Sequence, residues 1–354
     1  MKYPLNVLVV GCGRMGAAHA KAYQEISEYN IVGLVSRNPE TREVVNKSLG
    51  ADYPMFSDFD AALRETKPDV VSINTYSETH SEYAIKSFMS GAHVFLEKPI
   101  APTLKECSDV INAARKYKRK LVVGYILHYH PSWKLFVDKA KSLGKPLVMR
   151  LNLNQQTEGA NWTLHKKMLQ STSPIVDCGV HYVDLMCKMT EANPVKVSGI
   201  GSRLSYEISE DMYNYGQLQV TFDDGSVGWY EASWGPMISE TAYFIKDVMG
   251  PKGSVSFLEK QAESGNINSH TDGGAIKIHS SEMDSENNFI SKDENIELLE
   301  EPNHELLCRY EQEYLLKAIK EDIDLTTHMN DAYNSLKIVL AADESIRTGE
   351  TVYL

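Results

Sequence analysis

Residues 5–16 read Leu-Asn-Val-Leu-Val-Val followed by Gly11-Cys12-Gly13-Arg14-Met15-Gly16. A short apolar run closed by glycine, then helical periodicity over 15–26, opens a β-α-β unit. The three glycines have different tasks. Gly11 permits the tight turn. Gly13 keeps a Cβ out of the way of an approaching pyrophosphate. Gly16 lets the helix pack on the strand while its first N–H groups face the anion. The spacing thus predicts a dinucleotide cradle made of Gly11, Gly13, Arg14, Met15 and Gly16.

The same rhythm continues to about residue 124. Strand-like runs at 5–10, 31–35, 70–73, 93–96 and 121–123 alternate with helical stretches at 59–65, 81–89 and 104–117, and Asn38 caps a helix that has Pro39 at its first position. Continuous apolar strands between helices predict a parallel sheet covered on both faces. Beyond Gly124 the texture changes to alternating strands at 148–156, 195–202, 216–222, 227–233, 243–249 and 254–257, with Asp223-Asp224-Gly225-Ser226 as a hairpin turn. Helices are expected at 133–142, 162–170, 180–189, 304–320 and 329–348. Residues 263–293 read as an exposed loop region around one short strand at 275–279.

The expected fold is therefore α/β plus α+β: a Rossmann-type parallel sheet domain over 1–124, then a domain over 125–354 with a large, mostly antiparallel open sheet covered by helices. The helix at 329–348 is free to pack back on the first domain. A core of this size suits 42% hydrophobic and 24% charged residues.

Composition excludes several partners. A formal net charge of -12, with residues 115–120 as the one basic run, argues against nucleic acid. No stretch approaches the roughly 20 apolar residues of a membrane span, and the chain starts directly on a strand, so a cytoplasmic protein is expected. Five scattered cysteines without a CxxC pair indicate reduced thiols and no zinc site. His128, His130, His165 and His181 match no ligand spacing, so no metal is expected.

The residue that selects between dinucleotides stands about 20 positions past the glycine turn. Here Ser36 and Arg37 replace the usual carboxylate. A hydroxyl with a guanidinium suits a 2′-phosphate, so NADP is favoured with NAD possible; alternatively Arg37 stacks on adenine or stays in solvent.

Two further clusters bear chemistry. Glu97-Lys98-Pro99 follows the strand at 93–96, at the carboxyl edge where open α/β sheets bind ligands. A partly desolvated Lys98 there can anchor a substrate hydroxyl. In Asp177-Cys178-Gly179-Val180-His181-Tyr182-Val183-Asp184, a helix starting near Gly179 puts Asp177 at its cap and His181 in its first turn. His181 suits the movement of a carbinol proton. Either Asp184, three residues on, or Asp177 is placed to orient it. Taken alone, the octapeptide also fits a capping aspartate and a core histidine.

Together, the glycine turn, Glu97-Lys98-Pro99 and Asp177-x-Gly179-x-His181 resemble the Gfo/Idh/MocA family of NAD(P)-dependent sugar and cyclitol oxidoreductases. The likeness covers nearly the whole chain, including residues 75–80, Gly91-Ala92-His93-Val94 and residues 331–354. It implies a dehydrogenase or reductase acting on CH–OH groups, with Lys98, Asp177 and His181 as its catalytic group. His181 would be the acid/base and Lys98 the partner of the reacting oxygen. Asp177 would bind substrate or position the proton relay. It also implies Thr75, Tyr76, His80 and Glu97 on the cofactor side with Lys98, and Tyr125, His128 and Trp162 on the substrate side with Lys98, Asp177 and His181. A cis Lys98-Pro99 bond and a homodimer or homotetramer built on the second sheet follow in the same way. Two positions depart from the family: His128 stands where relatives carry arginine, and Tyr76 stands where they carry proline. Trp162 fits equally a sugar-stacking face or simple packing. The substrate class is a sugar or polyol. A redox-neutral enzyme with tightly held NAD and a non-catalytic NAD(P)-binding regulator are the other functional readings.

Overall fold

The computed structural model describes residues 3–239, 245–258, 273–299 and 301–354. The chain divides into two compact units, Met1–Ile126 with Pro302–Tyr333, and Leu127–Glu301 with Asn334–Leu354.

The first unit alternates strands and helices: β1 (Leu5–Val10), α1 (Arg14–Glu25), β2 (Tyr29–Val35), α2 (Pro39–Leu49), β3 (Met55–Phe56), α3 (Phe59–Thr66), β4 (Val70–Ile73), α4 (His80–Ser90), β5 (His93–Leu96), α5 (Leu104–Tyr117) and β6 (Leu121–Val123). The six strands form one parallel sheet in the order β3-β2-β1-β4-β5-β6. Every residue of β4, β5 and β6 is buried, which is why these strands are mostly apolar, with Ser72 and His93 as the polar exceptions. Side chains start the helices as expected: Asn38 accepts from the Glu40 N–H with Pro39 in the first turn, and Asp58 and Thr103 cap α3 and α5. The sheet order reverses between β1 and β4, and this switch point is where α/β sheets open a ligand crevice.

The second unit carries α6 (Pro131–Ser142), β7 (Val148–Gln156), α7 (Gly159–Met168), α8 (Pro174–Asp177), α9 (Gly179–Thr190), β8 (Pro194–Ser202), β9 (Tyr215–Phe222), β10 (Val227–Gly235), β11 (Lys246–Gly250), β12 (Gly253–Leu258), β13 (Ala275–Ser280) and β14 (Glu294–Glu297). The chain then forms α10 (His304–Lys320) in the first unit. Next comes α11 (Thr326–Thr348), which starts in the first unit and ends in the second, and last β15 (Val352–Tyr353). The nine-stranded sheet runs β14-β13-β12-β11-β7-β10-β9-β8-β15, antiparallel except for the β7–β10 pair. The fold class is thus a parallel Rossmann sheet followed by a mostly antiparallel sheet with helices.

Helices cover one face of that sheet. Tyr182 of α9 stacks on Tyr230 of β10 at 5.1 Å, and Trp133 and Phe136 of α6 each lie 4.8 Å from Phe257 of β12. Strand parity puts Arg150, Asn154, Glu231 and Ser233 on the opposite face, tied by Arg150–Asp247 and Asn154–Glu231 bonds. The turn at Asp223 to Ser226 is a hairpin, with Gly225 at φ +82°. Of the strand expected over 243–249, positions 243 and 244 lie outside the described residues, as do 263–272 of the expected loop. Of the described remainder of that loop, residues 282–293 are exposed. No helix among the described residues is long and apolar enough to cross a membrane.

Candidate active site

The carboxyl ends of the first unit's strands line up. Val10 is level with Val35 and Ile73, and Ile73 with Leu96, so Gly11, Ser36, Asn74 and Glu97 each stand one residue beyond their strand along one edge. Gly11 has φ +89°, and a Cβ there would meet the Asn74 carbonyl oxygen at 2.5 Å. A Cβ on Gly16 would fall 1.7 Å from the Gly11 carbonyl oxygen, so the first turn of α1 lies directly on the end of β1. Gly13 differs: nothing lies within 4 Å of where its Cβ would be. It is the N-cap of α1, no side chain caps that helix, and no acidic residue stands in its first turn. An open concavity at an uncapped helix start fits the pyrophosphate of a dinucleotide. Arg14 is exposed beside it and Met15 half-buried.

Ser36 and Arg37 follow β2. The Ser36 hydroxyl pairs with Thr41 Oγ1 at 2.9 Å, while Arg37 is exposed. Sequence reasoning passed over Arg42, whose guanidinium donates to the Ser36 carbonyl and, at 2.9 Å, to the Phe56 carbonyl, pinning the loop that presents Arg37. Thr75 Oγ1 bonds Thr79 Oγ1 at 2.6 Å, and Tyr76 is 62% exposed.

His80 requires a correction. Its imidazole is fully buried and both ring nitrogens face carbonyl oxygens, Nδ1 that of Pro99 at 2.8 Å and Nε2 that of Thr75 at 3.0 Å, one of which takes the N–H of the neutral ring. The ring is not available to a ligand; it ties the loop after β4 to the loop after β5. Glu97 also turns its carboxylate inward, where Oε1 accepts from His19 at 2.8 Å and Oε2 from the Lys98 N–H at 3.2 Å. Burial pushes the Glu97 carboxyl up, and the His19 hydrogen bond with the His19 and Lys98 charges outweighs this, leaving it below the ordinary value. Lys98 itself is half-buried. Tyr125, one residue beyond Gly124, is buried edge-on to His328, whose Nε2 accepts the Val123 N–H at 2.9 Å.

In the second unit Asp177 is not the cap of the helix that holds His181. Ser173 accepts from the Val176 N–H at 3.2 Å and, with Pro174 next, starts a helical turn earlier than expected, so Asp177 ends α8. Cys178 then stands at the start of α9 in helical conformation without a side-chain cap. His181 keeps its expected place in the first turn of α9, half-buried. Asp177 lies among groups contributed by three other elements. The Cys178 thiol lies 3.6 Å from Asp177 Oδ2 and 3.8 Å from Gln155 Oε1, which also accepts the Trp234 indole N–H at 3.0 Å. Trp234 stacks on His165 of α7 at 4.3 Å. Burial pulls His165 down to about 4, against the Asp177 charge, so it is neutral at neutral pH. Gln155 was not singled out in the sequence, and His165 only as one of four histidines without ligand spacing; their strand-end and helix positions carry no local motif.

Asp184 does not orient His181. It is fully buried inside α9, and Oδ2 bonds His128 Nε2. Trp162 is 7% exposed, its N–H reaches Glu207 at 3.3 Å, and Lys166 lies 5.6 Å over its ring.

The chain matches the description of an oxidoreductase family with an NAD-binding Rossmann fold over residues 5–125, and that family's C-terminal alpha/beta domain over residues 139–354. It belongs to the Gfo/Idh/MocA oxidoreductase family. The cis Lys98-Pro99 bond, implied by the resemblance to Gfo/Idh/MocA proteins, is present. The chain is 26% identical over 263 residues to scyllo-inositol 2-dehydrogenase (NAD(+)) of Bacillus subtilis (strain 168), spanning 72% of this chain and 74% of that relative. It is 24% identical over 206 residues to inositol 2-dehydrogenase of Pseudomonas fluorescens (strain SBW25), spanning 57% of this chain and 59% of that relative. For the Klebsiella pneumoniae subsp. pneumoniae inositol 2-dehydrogenase the shares are 45% and 48%, at 26% identity. The chain thus spans about half the length of several curated relatives it matches. A solved structure of scyllo-inositol dehydrogenase from Lactobacillus casei with bound cofactor NAD(H) and scyllo-inositol has the same fold, with a TM-score of 0.78, 18% identity, and coverage of 99% of this chain and 98% of that one.

Proposed function

We propose that this chain is an NAD(P)-dependent oxidoreductase acting on a secondary alcohol, or the corresponding ketone, of a sugar, sugar derivative or cyclitol. The observation that carries the reading is the uncapped glycine turn at the sheet's switch point with Lys98 on the same strand-end edge. A nicotinamide dinucleotide bound there supplies the hydride acceptor or donor. Lys98 hydrogen-bonds the reacting oxygen and favours the developing negative charge when the carbinol proton leaves. His181 takes that proton, or returns it in the reverse direction, and Asp177 binds substrate or holds the relay.

Three finer assignments belong with this reading. Ser36 with exposed Arg37 at the end of β2, where the usual carboxylate is missing, favour a 2′-phosphate and hence NADP over NAD, although the Bacillus relative is named for NAD(+). His128 stands in for arginine and is engaged by the Asp184 carboxylate, which suits an uncharged polyol better than an acid sugar or sugar phosphate. The helix-free face of the second sheet is the surface for a homodimer or homotetramer, and five free cysteines suit a reducing compartment such as the cytoplasm.

A panel of sugars and cyclitols with NAD and with NADP, followed at the nicotinamide absorbance band, tests the reading. Turnover with at least one polyol is expected, reduced by about 100-fold or more in Lys98→Ala. No turnover of any polyol, or undiminished turnover in the variant, overturns it.

A further inference from the structure

Beside the end of β5, the first unit buries a polar cluster that none of the preceding assignments uses. His19 of α1 is inaccessible, and both its ring nitrogens are engaged: Nε2 with Glu97 Oε1 at 2.8 Å, and Nδ1 with Gln312 Nε2 at 3.0 Å. The Tyr23 hydroxyl donates to Gln312 Oε1 at 2.5 Å, so the amide nitrogen is left to donate. Nε2 of His19 thus carries a hydrogen towards Glu97.

On α10, His304, Cys308, Glu311 and Gln312 recur at helical spacing, and three of them are fully enclosed. Glu311 is 1% exposed and its Oε1 has no hydrogen-bond partner. Donor atoms of His19, Cys308 and Glu311 all lie within 4.8 Å of one another. Two buried carboxyl groups, Glu97 and Glu311, thus border one histidine. They do not share a single environment. Glu97 has the His19 and Lys98 N–H groups, whereas Glu311 has only desolvation and the Glu97 charge, both of which raise it well above the carboxylate range. The other titratable groups that act on the cluster are Arg14 and Tyr23 from α1, and His304, Glu305 and Cys308 from α10, with Ser72 of β4 bonding Tyr23. A metal ion would need a His19 nitrogen that is already bonded. A proton on Glu311 needs no such rearrangement.

We propose that Glu311 is a positioning residue for Lys98: its enclosed carboxyl, with no partner for Oε1 among the described residues, stays neutral and leaves Glu97 as the one anion of the cluster, whose Oε2 holds the Lys98 N–H and the loop that carries it. This rests on the role proposed for Lys98. Glu97 is closely packed there, since a Cβ on Gly124 would lie 3.3 Å from its Oε2. When Glu311 ionises, a second anion adjoins Glu97 and stabilises the charged form of Lys98.

The test uses the whole protein and the Glu311→Gln variant, which mimics the neutral acid. At neutral pH the infrared carbonyl stretch of a protonated carboxylic acid is expected in the wild type and absent in E311Q. In protein carrying 13C-labelled lysines, with Lys98 assigned through Lys98→Arg, the Lys98 titration is expected to move down by about one pH unit in E311Q. The alkaline limb of kcat/KM should follow it, with kcat at neutral pH within about threefold of wild type. A wild type with no carboxylic-acid band, an unmoved Lys98 titration, or stoichiometric zinc lost on Cys308→Ser overturns the proposal. The infrared and lysine readouts need no turnover. A protein inactive on every polyol would therefore count against the reaction, and the buried proton would still be decided. E311Q is isosteric; should it fail to fold, the Glu311→Asp variant carries the infrared comparison, with the band expected to shift and an unshifted band overturning the assignment.

Discussion

His128 donates from Nε2 to Asp184 Oδ2, with side chains 8% and 0% exposed, and Asp184 Oδ1 has no hydrogen-bond partner among the described residues. The pair is asymmetric. Removing His128 strands a carboxylate in a dry site with neither oxygen bonded, whereas Asp184→Asn keeps an acceptor for the imidazole. His128→Ala should therefore cost about 3 kcal/mol or more, and Asp184→Asn about 1–2 kcal/mol. Urea unfolding at neutral pH measures both, and equal losses would contradict the pairing.

The glycine turn separates folding from binding within three residues. Gly16→Ala drives a Cβ to 1.7 Å from the Gly11 carbonyl oxygen and must displace the helix, which should cost about 3 kcal/mol or more. Gly13→Ala meets nothing within 4 Å, so its melting temperature should match wild type. Its added methyl would instead stand where the pyrophosphate is expected, weakening dinucleotide binding about tenfold or more. Calorimetric titration with NAD and NADP, alongside thermal melts, distinguishes the two; a destabilised Gly13→Ala, or one with full affinity, would count against the cradle.

Legibility in the sequence followed burial. The runs at 5–10, 70–73, 93–96 and 121–123 coincide with β1, β4, β5 and β6 because strands buried on both faces are mostly apolar, with Asn6, Ser72 and His93 as the polar members. The strands β3, β14 and β15 escaped notice: two residues at Met55–Phe56 and Val352–Tyr353 set no period, and Glu294–Glu297 is largely polar at a sheet edge. Local motifs located Lys98, Asp177 and His181. What spacing could not supply was a partner distant in sequence. His181 and Asp184 are three apart, yet α9 turns Asp184 inward to His128, 56 residues away, and leaves His181 half-buried. The Glu311 cluster had a faint signal, since Cys308, Glu311 and Gln312 interrupt the buried stripe Leu307, Leu315, Leu316 and Ile319. Polar residues on the core side of a helix could have prompted a search for their partners.

Arg37 and Arg42 should behave differently although they are five residues apart. Arg42 spends its guanidinium on the Ser36 and Phe56 carbonyls, so Arg42→Ala should lower stability by about 1–2 kcal/mol and weaken NAD and NADP alike. Arg37 is exposed and held by that loop. Arg37→Ala should leave stability unchanged and weaken NADP about tenfold or more relative to NAD. Dissociation constants from nicotinamide fluorescence measure the ratio, and equal losses for both dinucleotides would refute a 2′-phosphate contact.

Buried histidines set the acid side of stability. Burial lowers His93 and His165 to about 4, and His93 Nδ1 accepts the Lys120 N–H at 2.9 Å, a bond that protonation would break. Unfolded, each takes up a proton near about 6.5, so the unfolded chain binds more protons as the pH falls. Their contribution is whole above about pH 6.5 and is lost on descending towards about pH 4, by roughly 1–3 kcal/mol per histidine. Glu311 has the opposite sign: its raised value makes the folded state lose stability as pH rises above the ordinary carboxylate range. His130 is also drawn down to about 4, but it faces the Glu301 carboxylate at 3.1 Å, which would stabilise its proton, so it is the poorer probe. His165→Phe keeps the stack on Trp234 and removes the titration. Its urea midpoint should gain on wild type steadily from pH 7 to pH 4.5, and parallel pH dependences of the two proteins would show that His165 is not buried neutral.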